Sequence, residues 1–130
     1  MHSLADRKRH VASEEVSNYS IGQRAAEQAI TATLETLSKR LTGGEARDLA
    51  EQLPEELQPP LKQAAENAED LSLEEFYQRV AEREGVDIET ARLDASAVMT
   101  VLGMAATPGE LDDVMAQLPA EFNALFRQES

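Results

Sequence analysis

Apolar residues recur along this chain at helical spacing, and nowhere do they alternate with polar ones over the length of a strand. Ile30, Leu34, Leu37 and Leu41 fall at intervals of four, three and four. They form one stripe on a long helix that follows Ser20-Ile-Gly-Gln23, a capping-box pattern. Thr42-Gly-Gly-Glu45 has the same pattern and opens a short helix to about Gln52. Pro54 stands at the favoured first position of the next helix, which Pro59 and Pro60 are expected to end or kink before helix resumes through "LKQAAENA". Polar "NAEDLS" links this half to a second one. There Ser72-Leu-Glu-Glu75 caps a helix that turns Phe76 and Val80 inward, with Tyr77 at its edge and Gly85 as its stop. Asp87 caps a long helix over about 88–104. Its apolar residues, among them Leu93, Met99, Val101, Leu102 and Met104, run around most of its girth, which predicts a central helix covered by others. Thr107-Pro-Gly-Glu110 opens a further short helix carrying Leu111, Val114, Met115 and Leu118. Pro119 opens the last one, with Phe122, Leu125 and Phe126 as its packing face.

The phrases "QLPEEL" (52–57) and "QLPAEF" (117–122) belong to a larger echo. Residues 26–61 lie over 91–126 without a gap at a constant offset of 65, with eleven identities in 36 positions. Most identities are joints: Thr42/Thr107, Gly44/Gly109, Glu45/Glu110, Gln52/Gln117, Leu53/Leu118 and Pro54/Pro119. The pattern predicts an all-α fold of two pseudo-symmetric repeats, about residues 20–65 and 86–127. Each repeat is a long helix, a short helix and a Pro-started helix. Each exposes an apolar face that its copy can cover. Residues 20–130 are expected to form one helical domain. Residues 1–19 form an N-terminal arm, weakly helical or partly disordered, because "RKRHVASEEVSNY" offers few apolar anchors beyond Val11 and Val16.

"LSLEEFYQRVAEREGVDIETA" with "TPGELDDVMAQLPAEFNALF", and "LTGGEARDLAEQLPEELQPPL" before them, resemble the two halves of the bacterial domain of unknown function family 2267. The resemblance covers about residues 20–127. It implies a small helical protein and carries over no catalytic or binding residue. Members usually open with a helix much like "FYQRVAEREG", and the polar N-terminal stretch departs from that.

Composition narrows the partners. The net charge is −13, and all of it falls after residue 20, where 9 basic side chains face 22 acidic ones. Such a body repels a phosphate backbone, so no nucleic acid is expected. No apolar run reaches the length of a membrane span, so no membrane association is expected either. The chain has no cysteine, which excludes a thiol nucleophile or a Cys-ligated zinc and suits a cytoplasmic location. The basic run Arg7-Lys8-Arg9 reads as a solvated terminus.

Candidate chemistry is sparse. The acids Glu55/Glu56, Glu74/Glu75, Asp112/Asp113 and Glu121 sit as neighbours or in first turns, where capping and the helix dipole account for them. There is no Glu-x-x-His, no calcium loop and no Walker motif, and His10 with Glu14 would make a two-ligand site on a weak helix. Gly43-Gly44 reads as a turn beside Glu45 rather than an anion cradle. Met99, Met104 and Met115 read as core filling. No catalytic, cofactor-binding or metal residue is therefore assigned, and no cofactor is expected. The function expected first is a non-enzymatic acidic helical module for protein interaction or self-association. A small-ligand sensor with a pocket between the repeats comes second. A carboxylate or metal-dependent enzyme comes third.

Overall fold

The computed structural model of the chain describes residues 24–126. The expected arm, the Ser20 box and the His10/Glu14 pair lie outside them. Every element among the described residues is helical, and there is no strand. Helix α1 runs over 24–40, followed by α2 (Gly43–Ala50), a 3-10 turn (Glu55–Leu57) and α3 (Pro59–Lys62). Then come α4 (Leu73–Glu84), α5 (Ile88–Ala105), α6 (Pro108–Ala116) and a closing 3-10 helix (Ala120–Phe126).

The starts and stops have local causes. Thr42, Ser72, Asp87 and Thr107 each accept a hydrogen bond from the backbone N–H three residues on, which satisfies an orphan donor of a first turn. Ser72 and Glu75 complete a reciprocal capping box. Gly85 ends α4 at φ 76°, a left-handed conformation that a Cβ would oppose. At Gly43 the reason for glycine is space. A Cβ there would stand 2.8 Å from the Ala65 carbonyl oxygen, and the Gly43 N–H donates to the Glu66 carbonyl at 3.1 Å. The polar link is thereby tied to the first half, and the Glu69 N–H adds a bond to the Lys39 carbonyl at 2.6 Å.

One core runs through both halves. Leu34, Leu37, Leu41, Leu49 and Leu61 from the first half join Phe76, Val80, Met99, Val114, Phe122 and Leu125 from the second. Phe76 packs edge-on against Phe122, with ring centroids 5.5 Å apart at 83°. Helix α4 lies along α5 and also reaches α1, where Arg83 donates to Thr36 Oγ1 at 3.0 Å and lies 3.6 Å from Glu35. Helices α2 and α6 pack against each other.

Three expectations need correction. The helical turn after Pro54 does end before Pro59, at Leu57, but the helix that resumes there, with Pro59 in its first turn where a missing N–H costs nothing, stops at Lys62 rather than running on through "LKQAAENA". Helix α5 is not covered all round: Leu93 is 73 % exposed, Val101 59 % and Met104 75 %. The pairs Thr42/Glu45 and Thr107/Glu110 are half boxes. Their threonines cap, but the N-cap N–H groups go to glutamines of the opposite half, described next.

Candidate functional site

Where α2 meets α6, the two cap threonines exchange partners across the joint. The Thr42 N–H donates to Gln117 Oε1 at 2.9 Å, and the Thr107 N–H donates to Gln52 Oε1 at 2.7 Å. The Gln117 amide also donates to Thr42 Oγ1 at 3.1 Å. In an ordinary box the N3 glutamate would take the cap N–H. Relieved of that task, Glu45 and Glu110 turn to each other.

Glu45, Glu110 and Asp113 bring carboxylate oxygens within 4.8 Å of one another. One oxygen each of Glu45 and Glu110 is buried and finds no other hydrogen-bond partner. Two carboxylates at that range cannot both ionise cheaply, which favours the protonated form of Glu45. Burial pushes Glu45 up to about 8, helped by the hydrogen bond with Glu110 and by the charges of Glu110, Asp113 and Asp48. Such a set of hard oxygen donors can hold a proton or a divalent cation. A second acid pair lies at the end of α4. Glu84 is pushed up to about 7 by burial, by its hydrogen bond with Asp94 and by the Asp94 charge.

Asp94 in turn lies on the wall of an apolar groove of about 410 Å³ between α1 and α5. Ala26, Ile30 and Leu34 form one wall, Ala97, Val98 and Val101 the other, and Leu53, Pro54 and Leu57 close the floor.

The acids singled out from sequence scatter. Glu74 pairs with Arg92 at 3.3 Å, and Arg92 also lies over the Tyr77 ring at 5.3 Å. Glu75 belongs to its cap, which holds its carboxyl below the usual range. Glu55, Glu56, Asp112 and Glu121 are exposed. Only Asp113 joins a cluster, and it meets Glu45 and Glu110 rather than its neighbour. Gly43 serves the chain crossing, whereas Gly44 lies in the first turn of α2 with open space where a Cβ would stand. Met99 is buried, Met115 packs at the core edge and Met104 faces outward. Sequence reasoning missed the Glu45–Glu110 pair. The signal was present in the identity of the two residues at the offset of 65.

Fold and sites together define a small all-helical protein with an acid-lined joint and an apolar groove. The family model described as "Uncharacterized conserved protein (DUF2267)" matches residues 14–125, and the chain belongs to that family. No curated protein and no solved structure matches the chain. No helix among the described residues is long and apolar enough to cross a membrane.

Proposed function

We propose that the chain is a non-catalytic helical module, a duplicated unit that binds an amphipathic helix of a protein partner in the groove between α1 and α5. Duplication is supported by joints that match at the offset: α1 stops at 40 and α5 at Ala105, while α2 starts at Gly43 and α6 at Pro108. It is also supported by the reciprocal Thr–Gln bonds and by Glu45 meeting its own counterpart. Residues near a two-fold axis contact their own copies.

One observation carries the binding reading. The groove is the counterpart of the seat that α4 fills on the other side. Ala26, Ile30 and Leu34 correspond to Ala91, Ala95 and Met99, all fully buried, and half-buried Leu57 corresponds to Phe122, on which Phe76 stacks. Across the groove, Ala97 and Val101 correspond to Ala32 and Thr36, which are 2 % and 0 % exposed, and Thr36 takes Arg83 of α4. A seat of this shape suits a helix with an aromatic or branched anchor and a polar outer face. The net charge of −13 favours a partner with basic flanks, whose association would weaken with salt.

The test is a labelled peptide spanning residues 72–85 with Glu74→Arg, which carries the apolar face of α4 and a basic first turn suited to Glu27, titrated against the full chain. Saturable binding that is lost in Ala97→Glu is expected. No binding to either protein, together with a strictly monomeric chain, would overturn the proposal. The groove volume also falls in the range of small-ligand sites, which favours a sensor as the second reading. A thermal shift with apolar metabolites that Ala97→Glu removes would select it.

A further inference from the structure

Among the described residues that line the α1–α5 groove, Asp94 alone carries a charge. It stands at the first lining position of α5, and Ala105 stands at the last, about three helical turns further on. The lining residues between them, Ala97, Val98, Val101 and Leu102, are apolar, and α5 holds no charged residue from Ala95 to Ala105. The charge therefore marks one end of an otherwise neutral wall.

The fold does not ask for an acid at this position. The counterpart of Asp94 at the offset of 65 is Ala29, which is buried. Asp94 is also short of a counter-ion, since among the described residues no ion pair reaches it. Its polar neighbour is Glu84, another acid, one oxygen of which is buried with no other hydrogen-bond partner. Burial and the Asp94 charge hold the proton on Glu84 up to about 7, so below that pH Glu84 gives Asp94 a donor rather than a second charge. The negative charge on the groove wall is left without a cation.

That charge becomes costly when a helix covers it. An apolar side chain laid over Asp94 would strip its water and give nothing back, whereas a cation would compensate it. Exposed Glu27, beside Ala26 but outside the lining, acts differently: it stays in water and serves encounter more than fit. A penalty on wrong occupants is as effective a source of specificity as a reward for the right one.

We propose that Asp94 selects the helix that occupies the groove, by pairing with a lysine or arginine carried at one end of that helix's apolar face. The selection rests on the helix-binding reading above. The cation lies at the Asp94 end, and the apolar anchors follow along the wall toward Ala105. The contact thus sets the direction of the bound helix as well as its identity.

The labelled 72–85 peptide with Glu74→Arg, which also carries Arg79 and Arg83, tests this against the full chain and three variants. Asp94→Asn keeps an oxygen for Glu84 and removes the charge, so it should weaken binding on the order of tenfold with the melting temperature preserved. Asp112→Asn removes an exposed charge outside the groove lining and should leave affinity unchanged. Asp94→Lys should abolish binding, and reversing a peptide charge, as Arg79→Glu or Arg83→Glu, should restore it. Equal weakening by Asp94→Asn and Asp112→Asn would assign the effect to net charge and overturn the proposal. Failure of both peptide reversals to rescue Asp94→Lys would overturn it too. Peptide that binds Asp94→Asn as tightly as the parent, yet is lost in Ala97→Glu, removes the selection and leaves the helix-binding function. No binding to the parent removes both.

Discussion

The two flanks of the long-helix pair, α1 and α5, carry opposite burial at positions matched by the offset of 65. On the flank that α4 covers, the polar Thr36 is 0 % exposed and is satisfied by bonds to the Ala32 carbonyl and Arg83. On the groove flank the apolar Val101, its counterpart, is 59 % exposed. Hydropathy at a position therefore does not decide its burial here. A covering helix does, and the polar side chain under it is tolerated because its hydrogen bonds are met.

The largest break in that contrast should come from the anchor of the covered flank. Phe76→Ala removes a fully buried ring that touches Phe122 and Tyr77. It should cost about 3–5 kcal/mol in urea unfolding, as large-to-small core changes do. Leu57→Ala, at the groove floor, should cost well under half of that, because Leu57 is only half-buried. Equal losses would mean that the two flanks are equally filled.

The joint between the halves should respond to pH. Glu45 has a folded-state value of about 8 against an ordinary 4.5, so the folded chain holds its proton where the unfolded chain has released it. Stability from this group is complete below about 4.5, falls as pH rises, and is fully lost above about 8. Glu84 adds a loss in the same direction ending at about 7. Melting temperature should drop by a few degrees between pH 6 and 9, a shift typical of about 1 kcal/mol in a domain of this size once solvent screening of these partly exposed groups is allowed for. Glu45→Gln keeps a donor for Glu110 and cannot ionise, so it should remove most of the drop above pH 7. A profile unchanged by Glu45→Gln would separate the acid pair from the joint's stability.

Smaller still is the exchange of cap bonds. Gln52→Ala and Gln117→Ala each remove the acceptor of one N-cap N–H. These bonds are solvent-accessible, so each loss should be about 1 kcal/mol or less by thermal unfolding. If the joint is two-fold, the two variants should cost similar amounts.

Much of the local structure was legible. Thr42, Ser72, Asp87, Thr107 and Gly85 mark real helix ends, because capping depends on residues within one turn. The stripes through Leu34, Leu37 and Leu41 and through Phe76 and Val80 do face the core. What escaped was set through space. The apolar girth of α5 suggested cover on every side, but only a neighbouring element can supply cover, and the pattern of α5 does not say which elements arrive. The glutamines of the "QLP" phrases looked like helix ends, yet Gln52 reaches a threonine 55 positions away. Glu45 and Glu110 were read as cap residues, since a chain read locally shows each with its own threonine. Their convergence depends on how α2 and α6 pack, and identity at the offset does not settle it: Glu56 and Glu121 are equally matched, yet both stay exposed.

The finest probe of the two flanks is a reciprocal exchange at one pair of counterparts. Thr36→Val keeps the volume but leaves Arg83 without its hydroxyl acceptor at 3.0 Å, so it should cost about 1 kcal/mol. Val101→Thr places a hydroxyl where the side chain is 59 % exposed, so stability should stay within about 0.5 kcal/mol of the parent. The asymmetry, rather than either value, is the informative quantity, because both substitutions are the same chemical exchange run in opposite directions. A cost for Val101→Thr that matches the cost of Thr36→Val would show the groove flank as tightly covered as the α4 flank.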